Sequence, residues 1–266
     1  MKALVLAGEG LLPLEAVRSL KEKGREVAVV AFDEPAPVDL QEEVDGLVFF
    51  SLSQVGKVLS YIKHSGASEL VFAGKFSRRL LEKNIKFDIK ALWMLARLKD
   101  RQEDTIMKAI TAEIETMGVK VLSQLEVLAR LAAAKGIYSR RKPTRAELDD
   151  IDFGFEKGKG IAGLDIGQSI IVKKKSVIAV EAIEGTDLSI VRAGELTNNG
   201  GFTFVKVAKP MQDYRFDMPV IGMRTLKLFA EAKGAVLALE ANSTLILDFE
   251  DCVKFADENG FVFMAV

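Results

Sequence analysis

The chain has 266 residues, with 37 Lys+Arg against 38 Asp+Glu and a net charge of −1. That length makes one large domain or two small ones, and the charge balance gives no overall positive field to draw the chain to nucleic acid. Hydrophobic residues at 49% and charged residues at 28% exclude disorder, the lone Cys252 excludes a disulfide framework or Cys-rich zinc site, and the lone His64 excludes chemistry that needs two imidazoles.

In chain order, Ala3–Ala7 is a short apolar run that predicts a strand, closed by Gly8 and Gly10. Pro13 then opens a helix with Leu14, Val17 and Leu20 on one face, stopped at Gly24. The start, Met1 to Leu14, carries Glu9 and two glycines and reads as buried strand and turn rather than a signal peptide. Val27–Phe32, Gly46–Phe50 and Leu70–Ala73 predict three more strands, with a Pro-rich loop at 34–37 and a helix over 53–64 between them. Strands alternating with helices imply βαβ units and a parallel sheet. Helices are expected over Ile89–Leu98 and Asp104–Met117, and a returning strand over Val119–Leu122.

The composition changes over 129–145, and the domain boundary is placed there: a Rossmann-like parallel-sheet domain over 1–132 and a mixed α/β domain over 133–266. The second half predicts a helix over 145–159, then a hairpin of Ser169–Lys173 and Val177–Glu181 turning on Lys174 and Lys175. Helices over 186–194, 222–232 and 249–258 and strands over 202–207, 235–239, 244–247 and 261–265 complete it. No stretch reaches the roughly 18 uninterrupted apolar residues of a membrane span, so a cytoplasmic protein is expected. Trp93 and the 16 Phe read as core, and His64 reads as a helix C-terminal residue favoured by the dipole.

Five polar stretches are candidates for chemistry. Gly8 and Gly10 sit where a dinucleotide fold puts its phosphate loop, although Pro13 replaces the third glycine of that fingerprint; Asp33 stands where a ribose-binding carboxylate would. A tight strand-to-helix turn, a nucleotide or sugar-phosphate site and a nicotinamide site all fit. Gly74, Lys75, Ser77, Arg78 and Arg79 follow the fourth strand and bring cations to the same sheet edge, either as a ligand loop or as a solvated turn. Between Pro210 and Pro219 the chain reads as extended, so that Asp213, Arg215 and Asp217 share one face and Tyr214, Phe216 and Met218 the other. Two carboxylates about an Arg suit Mg²⁺ and phosphate, or a charged surface strand. Finally, Glu181–Asp187 opens a helix that Thr186 or Asp187 caps or that receives a phosphate, and Leu164–Gln168 is a polar turn into a strand.

Taken together, AGEGLLP (7–13), FAGKFSR (72–78), EDTIMKAI (103–110), LDIGQ (164–168), VEAIEGTD (180–187) and KPMQDYRFDMPVIG (209–222) resemble one family. It is the UDP-2,3-diacylglucosamine pyrophosphatases of lipid A biosynthesis, of the type without His-rich metallophosphoesterase motifs. The similarity covers essentially the whole chain. It implies an active site between the two domains and Mg²⁺-dependent hydrolysis to UMP and 2,3-diacylglucosamine 1-phosphate. It also implies an essential aspartate, which falls on Asp217; with no second imidazole available, carboxylates are expected to hold the metal, Asp217 with Asp104 or Asp187 helping. Gly8, Gly10, Gly74, Lys75, Arg78, Gln168, Thr186, Lys209, Gln212 and Arg215 are the expected substrate-binding residues. The chain departs from the family pattern at Gln102-Glu103-Asp104, where Gly-Asp-Asp is usual, and at Arg79, where Pro is usual. A lipid-linked UDP-sugar substrate, a homodimer and peripheral contact with the inner membrane are the expected partners. The basic run 140–145 is a candidate for meeting anionic lipid or the substrate's phosphates, or a solvated linker.

Overall fold

The computed structural model describes residues 1–32, 38–76, 87–100, 102–198 and 200–266, and of these the side chains of 38, 39, 41 and 103 are left aside. The chain divides into two compact units, Met1–Ala129 with Tyr214–Phe216, and Arg130–Asp213 with Asp217–Val266.

The first unit is built on strands β1 (Lys2–Ala7), β2 (Glu26–Phe32), β3 (Gly46–Phe50), β4 (Glu69–Ala73) and β5 (Lys120–Val121) in the order β3-β2-β1-β4-β5, every pairing parallel. Its helices are α1 (Leu12–Glu22), α2 (Val38–Glu43), α3 (Val55–His64), α4 (Ile89–Leu95), α5 (Glu103–Thr116) and α6 (Gln124–Val127). A parallel sheet buried on both faces needs continuous apolar strands rather than alternating ones. Leu4, Leu6, Ala28, Val30, Leu70 and Phe72 form a core with residues of α3 and α5, while the intervening Val5, Val29 and Val71 are equally inaccessible. Phe216, from the late segment, is buried in that same core with its ring edge-on to Phe72.

The second unit carries β6 (Gly136–Ile137), α7 (Arg145–Gly163), β7 (Ser169–Lys173), β8 (Ser176–Val180), α8 (Thr186–Thr197), β9 (Thr203–Lys206), β10 (Val220–Ile221), α9 (Met223–Glu231), β11 (Val236–Leu239), β12 (Leu245–Ile246), α10 (Phe249–Asn259) and β13 (Val262–Ala265). Its main sheet runs β6-β13-β11-β9-β7-β8, with β9, β11 and β13 parallel and β6, β7 and β8 antiparallel to their neighbours. Period-2 alternation sorts its side chains: Ile170, Val205 and Val262 pack with Ile151 of α7, and Ile171, Phe204 and Phe263 pack with α8, α9 and α10 residues. Gly154 and Gly158 let α7 lie on the sheet, since a Cβ at 154 would come 2.7 Å from Val205. Lys174 and Lys175 make the hairpin turn with φ of 51° and 57°, and Asp150 accepts both of their N–H groups at 2.9 and 2.6 Å.

Both the N-terminal parallel sheet and the C-terminal mixed sheet are thus as expected. Two readings are overturned. The 209–219 stretch is not extended: it turns at 210–211 and again at 214–216, and the Asp217 N–H donates to the Asp213 carbonyl at 3.2 Å. A period-2 pattern of polar and apolar residues is shared by a strand and by a chain that folds each apolar residue into a core by successive turns. Trp93 is not core but 46% exposed, because α4 turns Ala91 and Met94 inward instead. His64 ends α3 and meets the Ser60 carbonyl at 2.8 Å, as its position suggested.

Candidate functional site

In the second unit several chain segments converge on one sheet edge. β9 ends at Lys206, β7 starts at Ser169 directly opposite, β8 runs out at Val180, and α8 starts at Thr186. The carboxyl ends of parallel strands lie on this edge, which is where open α/β sheets bind ligands. Gly167 is what lets the edge close: a Cβ there would stand 2.0 Å from the Glu181 carbonyl oxygen.

Lys206 is a buried lysine, 5% exposed. Its ammonium donates to the Ser169 hydroxyl at 3.1 Å and the Thr186 hydroxyl at 3.0 Å, and lies 3.6 Å from Glu181 Oε2. Thr186 in turn donates to Glu181 Oε1 at 2.7 Å. Burial pushes the Glu181 carboxyl up, but the Lys206 charge and the hydrogen bonds around it more than offset this and hold it below the usual carboxylate range. With its hydroxyl so engaged, Thr186 does not cap α8. Gly185, at φ 81°, is the N-cap, and no side chain closes the helix end.

Beside this cluster, Gln168 reaches the other way along the edge. Its amide donates to Asp217 Oδ2 at 3.2 Å, the Gln212 amide donates to the same oxygen at 2.8 Å and also to the Asp217 carbonyl, and the Lys209 ammonium stands 3.2 Å away. Asp165 closes the group from the far side of Lys209, 2.7 Å from the ammonium. Burial lowers the Lys209 pKa, yet Asp165 and Asp217 together outweigh it and hold it above the usual lysine range. The Asp217 side chain is 36% exposed, so it is neither sealed in a core nor fully solvated. Gln168 Oε1 and Glu181 Oε2 are buried without a hydrogen bond, a concentration of polar cost typical of functional edges.

The structure therefore brings together Gln168, Lys209, Gln212 and Asp217, with Thr186 in the adjoining cluster. Asp165 lies in the polar turn 164–168 but is not among the expected site residues; an Asp two residues before a glycine reads as a turn, and the approach of Lys209 gives it a partner. Three other expected residues are held in ion pairs. Asp187 pairs with Arg224 at 2.8 Å, Asp104 with Lys108 at 2.6 Å within α5, and Arg215 with Glu115 at 3.2 Å in the first unit. Asp213, Arg215 and Asp217 do not share a strand face, for the turn at 214–216 separates them. Of the basic run 140–145, Arg140, Arg141 and Arg145 pair with Asp257, Glu147 and Asp149. Thr144 and Glu147 form a capping box for α7, so the run is structured helix entry rather than linker.

In the first unit, the Gly8–Gly10 turn and Gly74–Lys75 follow β1 and β4, at the point where strand order reverses. The two turns are joined by backbone: Gly8 N–H donates to Ala73, and Glu9 and Lys75 exchange hydrogen bonds at 3.1 Å. A Cβ at Gly8 would meet the Lys75 carbonyl at 2.6 Å, and Gly74, at φ 94°, would meet Glu9 at 2.7 Å. These glycines thus serve close backbone approach between two turns. Gly10 has open space around it, α1 begins without a side-chain cap, and Lys75 is exposed. Arg78, Ser77, Arg79 and Asp33 lie outside the described residues.

For a metal, no three His, Cys, Asp or Glu side chains gather at ligating distance among the described residues. The Lys209 ammonium already fills the place between Asp165 and Asp217. These residues fit a cation that arrives on a diphosphate rather than a resident ion, because Mg²⁺ is commonly held by one or two carboxylates plus phosphate oxygens. Asp217 Oδ1 takes none of the three donors that converge on Oδ2.

Residues 2–131 match the family model of the LpxI N-terminal domain, and residues 134–264 that of the LpxI C-terminal domain. The chain is 28% identical, over 98% of its length and 96% of the relative's, to the UDP-2,3-diacylglucosamine pyrophosphatase LpxI of Caulobacter vibrioides. Among solved structures, the biotin carboxylase domain of Hydrogenobacter thermophilus 2-oxoglutarate carboxylase is 12% identical, covers 66% of this chain and 35% of its own, and has a TM-score of 0.29. A glycinamide-RNase-transformylase T from Mycobacterium tuberculosis is 14% identical, covers 69% and 44%, and has a TM-score of 0.26. At these scores neither likeness carries weight.

Proposed function

The chain belongs to the LpxI family, and from that premise we propose that it hydrolyses the diphosphate of UDP-2,3-diacylglucosamine to UMP and 2,3-diacylglucosamine 1-phosphate, a step of lipid A synthesis. What supports the chemistry is the setting of Asp217, a partly exposed carboxylate fixed by two amides and an ammonium at the ligand-binding edge of a sheet. Hydrolysis of a phosphoanhydride depends on positioning and charge neutralisation more than on covalent catalysis. A water oxygen adds to phosphorus, the bridging oxygen leaves with its electron pair, and the water proton passes to the Asp217 carboxylate. Gln168 and Gln212 hold that carboxylate in one orientation. Lys209 supplies positive charge for the phosphate oxygens, and Asp165 keeps it protonated. Asp217 would hold a Mg²⁺ ion that arrives on the diphosphate, and such an ion would further neutralise the phosphate charge.

The diacyl end needs apolar cover, at about 0.8 kcal/mol for each buried CH₂. Leu164 and Ile166 flank Asp165, Met211 precedes Gln212, and Ile183 follows Glu181; all four are exposed, from 48% to 90%. They give the polar edge an apolar rim suited to lipid chains.

The test is UMP release from UDP-2,3-diacylglucosamine, with and without Mg²⁺, by the wild-type chain and by Asp217→Ala shown to be folded. Expected is Mg²⁺-dependent turnover that falls at least about tenfold in the variant, or roughly 1.4 kcal/mol of transition-state stabilisation. Saturable UDP binding without turnover would make this a nucleotide-sugar binder and overturn the reading.

A further inference from the structure

Helix α4 shows solvent a face that a soluble surface would ordinarily bury. Ile89 is 87% exposed, Leu92 55% and Trp93 46%, while Ala91 and Met94 point into the unit. Positions 89, 92, 93 and 96 follow the i, i+3, i+4, i+7 spacing of a single helical stripe. Cations frame it. The Arg97 guanidinium lies 3.7 Å from the Trp93 ring centroid and the Lys90 ammonium 4.8 Å from it, and Lys99 is 84% exposed. Of the acids alongside, Asp88 accepts from the Ala91 and Gly56 N–H groups, Glu113 pairs with Lys90, and Asp100 accepts from Gln102 N–H and lies 3.8 Å from the Lys99 ammonium.

We propose that this face of α4 rests in the headgroup region of an anionic lipid bilayer. An apolar stripe with Trp at its centre and cations at its margins matches that layer, where indole rings and the stems of Lys and Arg are both accommodated. A second copy of the chain is the weaker occupant. Three large side chains on a two-turn helix offer on the order of a few hundred Å², against the roughly 800 Å² per partner of a stable interface. The other basic candidate, residues 140–145, has no large apolar stripe: its residues are Arg140, Arg141, Lys142, Pro143, Thr144 and Arg145. The inference rests on the proposed lipid-linked substrate for its purpose, since a membrane-docked enzyme meets such a substrate where it resides. Its test needs no turnover.

Trp93 is the sole tryptophan in the chain, so intrinsic fluorescence reports this face alone. The protein is titrated with vesicles of equal parts phosphatidylcholine and phosphatidylglycerol, with phosphatidylcholine vesicles alone, and with the mixed vesicles in high salt; co-sedimentation is measured alongside. Expected are a blue shift and sedimentation with the anionic vesicles, both weakened in the other two arms. The double variant Ile89→Glu, Leu92→Glu, which keeps the reporter, should bind the anionic vesicles about tenfold more weakly or worse. Wild-type protein that neither shifts nor sediments overturns the proposal, as does a shift that follows protein concentration without lipid and so reports a second copy. UMP release by protein that ignores vesicles sinks this inference alone. Vesicle binding by protein that never releases UMP sinks only the assignment of the reaction.

Discussion

Lys206 and Glu181 make the sharpest case at the residue scale, because each is tolerable only in the other's company. A buried ammonium without its carboxylate costs about 3–5 kcal/mol, so Glu181→Gln should lower the denaturation midpoint strongly while leaving Lys209 and Asp217 in place. The pH dependence has a definite sign. The Glu181 pKa is depressed in the fold, so its contribution is complete above the unfolded value of about 4.3 and disappears as pH falls through the lower folded value. Denaturation followed from neutral pH downward should show wild-type stability falling most below that point, with a flatter acid limb in the variant. Lys209 works in the opposite direction. Its pKa is raised, so its stabilisation is complete below the unfolded value of about 10.4 and is lost only above it. A fall in activity between pH 8 and 9 therefore cannot come from this lysine. Lys209→Met should remove activity across the whole neutral range, whereas Asp165→Asn should bring the alkaline limb to lower pH; pH–rate profiles of the two variants separate these outcomes. Cys252 belongs to the same scale. It is buried in the core, and burial with Asp248 and Asp251 nearby pushes its thiol up to about 12. Thiol-directed reagents should leave it unmodified until the chain is denatured.

Among the elements, most were legible because one signal dominated each. ALVLA and VAVVAF are continuous apolar runs of strand length, and helical spacing with Pro or Gly at the ends marked α1 and α3. What escaped were pieces whose existence depends on distant partners. β6 and β10 have two residues each and are strands only because β13 and β12 lie alongside. The 209–219 stretch misled because its alternation is real but serves turns. The candidate site was legible in part: Gln168, Lys209, Gln212 and Asp217 lie in recognisable motifs, whereas Asp165 and Lys206 look like an ordinary turn residue and a strand-end lysine until the fold buries or pairs them. Gly167 makes a test of how far element geometry governs the site. Gly167→Ala puts a methyl into the Glu181 carbonyl, so β7 must move from β8, at a cost of roughly 1–3 kcal/mol. Because Gln168 and Ser169 follow directly, the variant should lose UMP release together with stability, and Gly160→Ala, which meets nothing within 4 Å, should lose neither.

At the scale of the whole molecule, the division of the chain is not the division of the sequence. Tyr214–Phe216 belongs to the first unit although the residues on both sides belong to the second. The Tyr214 carbonyl accepts from Gln124 N–H at 2.7 Å, Gln124 also donates from its side chain to Phe72, and the Phe216 ring is 8% exposed against Phe72. Phe216→Ala should therefore destabilise the first unit by about 3–5 kcal/mol, seen as an early transition for Trp93 fluorescence, whose reporter lies in that unit, while the far-UV signal of the second unit persists.

That borrowed segment also orders events during synthesis. A ribosome that has delivered every strand of the parallel sheet has not yet delivered the ring that covers Phe72, so the nascent N-terminal portion must wait, with apolar surface uncovered, until translation has passed residue 216. Chaperone binding to stalled nascent chains should thus persist past residue 129 and drop once Phe216 clears the exit tunnel.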